Sequence, residues 1–291
     1  MKNNRFVACI LIPAFLFLSV FSIAPLFYGL GISMFRYNPL NAVNPFIGLE
    51  NYRYMLNDPL FWGAAKHTIV FVAIATVLNI TITLFLAQVI STLPSNKLRS
   101  AFRTILFLPC IAPLVGSALV WRTGILNTKG GVLNAVLGWF GVPAVNWLGN
   151  AQMIWPAIII FTLWSGIGYN VVLLSAGIDG IPTDFSEAAS IDGANTIQRF
   201  VYITLPLLGR TLTYVLMMTL IGFFQAFVQF NVLAQKGGPN HASEVLSLYV
   251  YNQGFINKDM GYASAVAFAL FVMIFVVTCI QRRLSRVDWG Y

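Results

Sequence analysis

Two groups of residues in this chain have types and spacings suited to recognition chemistry, and neither is a bond-making set. The first is a polar stretch between long apolar runs, Glu187-Ala188-Ala189-Ser190-Ile191-Asp192-Gly193-Ala194, followed by Leu205-Pro206-Leu207-Leu208. On a helix, Phe185, Ala188, Ala189 and Asp192 share one face by their i, i+3, i+4, i+7 spacing. Two alanines there make a flat surface that another protein can approach closely. Glu187 and Asp192 add charge for a basic partner. The second group lies inside apolar runs: Trp164, Gly168, Asn170 and Val171 in one, and Gln225, Phe227 and Gln229 in another. An indole and convergent amides in an apolar bundle suit a polar solute. The same amides also serve to hydrogen-bond one helix to the next, and Asn79 and Gln88 fit that role better still. No catalytic set, metal site or bound cofactor is expected. The two histidines, His67 and His241, are far apart, and Cys9, Cys110 and Cys279 all lie in or at apolar runs, as packing residues do.

The elements that position these groups follow from composition. The 291 residues are 58% hydrophobic and 9% charged, against roughly 25% charged in a soluble domain. Lipid must be the solvent. Six apolar runs, at about 6–34, 67–92, 104–122, 152–178, 207–234 and 260–281, are each long enough for a helical span. The expectation is an all-α polytopic membrane protein with six transmembrane helices, forming a single transmembrane domain over 1–291. Phe6 to Ile32 is too long for a signal-peptide core and lacks a small-x-small cleavage site, so it reads as a retained first span. Prolines 13, 25, 109, 113 and 156 fall in or near the runs, where neighbouring helices satisfy the freed backbone groups. Within the polar stretch, Asp184 is expected as N-cap with Glu187 at the third helical position, and Gly193 as the stop. That gives a short helix over 184–194, outside the membrane. Either it docks a partner, or it lies at the interface with Glu187 merely capping its own N-terminus.

The net charge of +8 sits in short segments beside apolar runs, which points to anionic lipid and topology and away from nucleic acid. Ten of the seventeen Lys and Arg fall on one side, with clusters at Arg99/Arg103 and Arg282/Arg283 and with Lys2, Arg5 and Arg286 at the ends. Both termini and 179–206 are therefore expected to be cytoplasmic. Segments 35–66, 123–151 and 235–259 are expected outside, with Trp62, Trp121, Trp147 and Trp155 near the interfaces. No Asp, Glu, Lys or Arg lies in the core of a run, which argues against proton- or sodium-driven transport. No P-loop pattern is present, so the chain is not its own ATPase.

Glu187-Ala188-Ala189, Asp192-Gly193-Ala194, Phe200, Ile203 and Leu205-Pro206 resemble the EAA signature of ABC-importer permeases. Leu11-Ile12-Pro13-Ala14-Phe15, Gly48-Leu49-Glu50-Asn51-Tyr52, Asn146-Trp147-Leu148-Gly149, Gly237-Gly238-Pro239 and Gly261-Tyr262-Ala263-Ser264-Ala265 extend the resemblance, in order, over nearly the whole chain. The pattern is similar to carbohydrate-uptake permeases, and among them to the maltose-type subunit. It departs at Arg210, where the family often has Pro, and near Gln235, where it has Thr. The resemblance implies an ABC type I importer permease fold with a coupling helix over 184–194. Phe185, Glu187, Ala188, Ala189, Asp192, Gly193 and Ala194 would meet a nucleotide-binding subunit. It implies a second permease, two ATPase subunits holding the ATP and Mg, an extracytoplasmic sugar-binding protein, and a bacterial or archaeal plasma membrane. Trp164, Gly168 and Val171 match positions that line the sugar site in the family, with Asn170, Gln225 and Phe227 as further pathway candidates. The alternatives are an ABC permease for another polar solute such as a glycerol phosphate, and a stand-alone channel or scaffold.

Overall fold

A computed structural model describes residues 2–285, and residues 2–8 by their backbone only. Arg286, assigned to the cytoplasmic side from sequence, lies outside the described residues. In chain order the helices are α1 (Cys9–Ile32), α2 (Glu50–Asn57), α3 (Pro59–Ser91), α4 (Asn96–Ile111), α5 (Leu114–Ile125), α6 (Val132–Trp139), α7 (Ile154–Asp179), α8 (Thr183–Ile191), α9 (Thr196–Arg199), α10 (Gly209–Phe224), α11 (Val228–Leu233), α12 (Leu246–Tyr251) and α13 (Met260–Leu284). A π turn at Ser19–Ile23 interrupts α1, and helical turns over Phe200–Thr204 and Leu205–Leu207 lead from α9 towards α10. Among the described residues, five stretches are long and apolar enough to cross a bilayer: α1, α3, α7, Gly209–Leu233 and α13. At 33 residues, α3 extends to about 50 Å, well beyond the roughly 30 Å hydrocarbon layer.

The run at 104–122 is not the straight span its composition suggests. It divides into α4 and α5, which bend by 90° at the break. Pro113 carries no N–H and forces the residue before it out of the helical region. Ala112 accordingly has φ −66° and ψ 138°. The bent pair supplies the sixth crossing if it counts as one span. The run at 207–234 is also interrupted, at Gln225–Phe227 between α10 and α11.

The chain divides into two compact units, residues 1–63 with 249–272, and residues 64–248 with 273–291. In the first, the Asn51 amide donates to the Ser33 and Phe35 carbonyls at 2.8 and 3.0 Å. Gly261 passes so close to Phe35 that a Cβ would sit 2.1 Å from its carbonyl oxygen. Asp58 starts α3 by accepting from the Leu60 N–H at 2.9 Å, with Pro59 pre-set for the first helical position. The same carboxylate accepts from the hydroxyls of Tyr249 and, at 2.6 Å, Tyr262, and all three residues are buried. Burial works to raise the Asp58 pKa, but the Tyr249 and Tyr262 hydroxyls and two backbone N–H groups outweigh it and hold the carboxyl below its ordinary value. The ionised form is the one that stabilises the fold. That contribution is present above the unfolded value of about 3.9 and is lost as pH falls through the folded one. Asp58→Ala leaves two buried hydroxyls without their acceptor and is expected to cost about 3 kcal/mol, read as a lower unfolding midpoint at neutral pH. A change within error would show that this carboxylate does not hold Tyr249 and Tyr262 in place.

In the second unit Ala87, Leu174, Leu208 and Val215 form a buried cluster joining α3, α7 and the start of α10. α4 and α7 meet backbone to backbone at Gly168, where a Cβ would lie 2.0 Å from the Leu106 carbonyl oxygen. Small residues permit this approach between apolar helices. Among the described residues, Arg103 and Asp179 tie the same two helices by a 2.7 Å ion pair. Trp121 and Trp155 are turned inward. Trp121 packs on Phe161 and Trp164 at ring distances of 5.5 and 5.3 Å, and the Trp155 indole donates to the Ala242 carbonyl at 3.0 Å.

Candidate functional site

α8 is assembled by local signals. α7 ends at Asp179, and Pro182, with φ −56° and ψ 133°, turns the chain so that helical geometry begins at Thr183. Asp184 is therefore not the N-cap expected from sequence. It is the second helical residue, where a carboxylate still complements the positive helix end, and no side-chain cap is formed. The reciprocal capping box lies downstream. Asn195 accepts from the Gln198 N–H at 2.9 Å, and Gln198 accepts from the Asn195 N–H at 2.8 Å. The stop is the expected one. Gly193 adopts φ +82°, its N–H donates to Ser190 O, and the Ala194 N–H donates to Ala189 O at 2.9 Å, the paired bonds of a Schellman end.

One face of α8 is held and the other is open. The Arg199 guanidinium donates to the Ser190 hydroxyl at 2.8 Å and to Ser186 at 3.3 Å. These serines are i, i+4 neighbours, so one cation grips one helix face. Phe185, Glu187, Ala188 and Asp192 are exposed, with Ala189 and Ala194 half-buried. Phe185 is 45% exposed, and Ile191, Ile197 and Tyr202 are more so. A patch of this kind beside charged residues has the make-up of a docking surface. Sequence reasoning missed Arg199, Ile191, Ile197 and Tyr202. Ser186 and Ser190 at i, i+4 were the available signal for a donor, but nothing in the sequence says which cation arrives.

The solute-pathway candidates are dispersed. Trp164 is 39% exposed and packs against Trp121 and Phe161. Gln225 is exposed where α10 ends, and Phe227 is half-buried where α11 begins. The backbone carbonyl of Ala226, between them, accepts from the Ser247 hydroxyl at 2.5 Å, so the helix break keeps its polar groups satisfied. Gly168, Asn170 and Val171 are buried. Gly168 faces the Leu106 backbone, and Val171 is wholly enclosed. The Asn170 amide donates to Asn79 at 2.6 Å and Thr219 at 2.9 Å, linking α7 to α3 and α10. In this structure Gly168 and Asn170 join helices, and none of the three faces open space.

Residues 79–287 match the family described as binding-protein-dependent transport system inner membrane component. The chain belongs to this family. The permease is 33% identical to a probable ABC transporter permease protein of Bacillus subtilis, over 98% of this chain and 97% of the relative. It is 30% identical to an arabinooligosaccharides transport system permease protein of Halalkalibacterium halodurans, over 98% and 89%. Among solved structures, a chain of a bacterial alginate ABC transporter in complex with alginate pentasaccharide-bound periplasmic protein superposes with a TM-score of 0.86 at 25% identity, covering 98% of this chain and 95% of that one. The permease is thus a multi-pass, all-helical subunit of an ABC importer, and its apolar helices are membrane spans.

Proposed function

We propose that this permease carries a carbohydrate, in particular an oligosaccharide, handed over by an extracytoplasmic binding protein, and that it is moved by a separate ATPase through α8. The observation that carries the coupling half is α8 itself: a short helix with a fixed end, gripped on one face by Arg199 and open on the other. Phe185, Glu187, Ala188, Ala189, Asp192, Gly193 and Ala194 are the coupling residues. Two ATPase subunits would hold the ATP and Mg, and this chain would bind no cofactor of its own. A second, different permease would complete the membrane unit. The positively charged segments around α4 and α9 support a cytoplasmic position for α8 and for both termini.

The carbohydrate half is supported by the relatives named for arabinooligosaccharides and alginate, and by an accessible indole beside two further rings. Trp164, with Gln225 and Phe227, is the candidate contact set. Gly168, Asn170 and Val171 would act by positioning the helix that carries Trp164. A glycerol phosphate would call for a cation along the path, and the span cores hold none.

Two experiments test this. Mild-detergent purification from the native membrane should recover a second six-span permease and a P-loop ATPase, and recovery of this chain alone would favour the channel reading. Trp164→Ala should leave that assembly intact while transport falls at least about tenfold, the loss of one good aromatic contact of roughly 1.4 kcal/mol. Trp164→Phe should retain part of the activity. Unchanged uptake kinetics in Trp164→Ala would take this residue out of the pathway.

A further inference from the structure

Two guanidinium groups line one cavity whose one carboxylate, Asp179, is already held by a third arginine, Arg103. The cavity, of about 520 Å³, lies where α3 and α7 end, beside α8 and α9, and its lining includes Gln88, Thr92, Arg99, Thr183, Arg199 and Thr204. The half-buried Arg99 donates through Nε to the Leu93 carbonyl at 2.8 Å. Arg199 donates to the hydroxyls of Ser186, Ser190 and Thr196, and its Nε is buried without a partner. All of these acceptors are neutral. Among the described residues the ion pairs are Arg36–Glu50, Arg103–Asp179 and His241–Glu244, and neither Arg99 nor Arg199 takes part. The lining has one acid, Asp179, and Arg103 already holds it at 2.7 Å.

An arginine cannot shed its charge, and partial removal of two such charges from water is unfavourable unless an anion answers them. The forked geometry of guanidinium matches phosphate oxygens. Hydroxyls of Thr183 and Thr204 stand in the same lining as further donors. The cavity's position also matters. Ser91 and Asp179 are the last residues of two long apolar helices, so the cavity lies where two such helices end, and basic pockets between membrane helices collect anionic lipid.

We propose that this cavity is a binding site for a phosphate group, supplied by the headgroup of an anionic phospholipid or by free phosphate, and held between Arg99 and Arg199. Because Arg199 also grips Ser186 and Ser190, occupancy ties α8 to the ends of α3 and α7. That consequence rests on the coupling reading above, whereas the binding itself does not.

The test reads the cavity directly. Thr92→Cys, in a full-length chain with Cys9, Cys110 and Cys279 changed to Ser and purified with the subunits that accompany it, is placed in nanodiscs and labelled with a neutral water-soluble maleimide. Three conditions are compared: phosphatidylcholine alone, phosphatidylcholine with phosphatidylglycerol, and phosphatidylcholine with added inorganic phosphate. Labelling is expected to slow about tenfold when the anion is present at roughly ten times its Kd. Slowing by phosphatidylglycerol alone assigns the site to lipid, and slowing by phosphate alone assigns it to the free ion. Protection should vanish in Arg99→Gln and persist in part in Arg99→Lys, which keeps the charge. Equal rates in all three conditions, protection that survives Arg99→Gln, or labelling already blocked by a protein subunit in phosphatidylcholine would each overturn the proposal. Protection by an anion, or its absence, leaves open whether α8 couples to an ATPase, which co-purification reads separately.

Discussion

Glu187→Lys is expected to abolish substrate-stimulated ATP hydrolysis while leaving the permease folded. The side chain is exposed, and no ion pair among the described residues engages its carboxylate. Reversing a charge on a solvated helix surface should change stability by less than about 0.5 kcal/mol. At a docking face the same reversal places like charge against a basic partner surface, at a cost of about 3 kcal/mol. That corresponds to roughly hundred-fold weaker docking. The measurement is co-purification of the ATPase together with hydrolysis in the presence of binding protein and solute. Gly193→Val makes a complementary test by a different cause. A Cβ there meets nothing within 4 Å, so the only penalty is conformational, and a branched residue at φ +82° is strained. If both variants dock and hydrolyse normally, α8 is not the coupling element.

Gly168→Ala is expected to be the most damaging single methyl group in the chain's second unit. The added Cβ would meet the Leu106 carbonyl oxygen at 2.0 Å, its carbon at 2.5 Å and the Phe107 Cα at 2.8 Å. All three are backbone atoms and cannot swing aside, so α4 and α7 must separate. Overpacking of this kind costs about 3 kcal/mol, with the Arg103–Asp179 pair on the same two helices put under strain as well. Gly166 on the same helix supplies the control, because a Cβ there has open space. Gly166→Ala should be neutral, or stabilising by about 0.5 kcal/mol, from improved helix propensity. Thermal unfolding of the purified subunit compares the two. The pair also separates packing from solute contact at Gly168. A packing role lowers the amount of assembled transporter and leaves the KM of what remains unchanged. A raised KM at normal abundance would return Gly168 to the pathway.

Both predictions combine a local signal with a contact that only the folded chain reveals. Gly193 could be recognised as a helix stop from the sequence, because a residue that must adopt a positive φ after an alanine-rich turn is nearly always Gly. The start of the same helix was not legible. Asp184 and Glu187 fit a capping box by spacing, but Pro182 starts the helix two residues earlier, and the box went to Asn195 and Gln198. At 104–122, apolar length correctly marked a membrane segment and gave no hint of a 90° bend, because composition does not record direction. Trp164, Gly168, Asn170 and Val171 were all candidates on one span, with Trp164 the one best suited to stack on a sugar. Their neighbours on α3, α4, α5 and α10 leave the Trp164 ring accessible and bury Gly168, Asn170 and Val171.

Properties that add up along the chain were legible before folding: the lipid environment, the helical spans, the asymmetry of positive charge and the polar signature of α8. Each of these follows from composition or short-range periodicity. The tertiary structure alone decided what depends on distant residues meeting. It brought Arg199 to Ser186 and Ser190, Asp58 to Tyr249 and Tyr262, Asn170 to Asn79 and Thr219, and Arg99 into a cavity with Arg199. The physical reason is that a hydrogen bond or a close backbone approach is fixed to within a fraction of an ångström by three-dimensional packing, and no one-dimensional spacing carries that information.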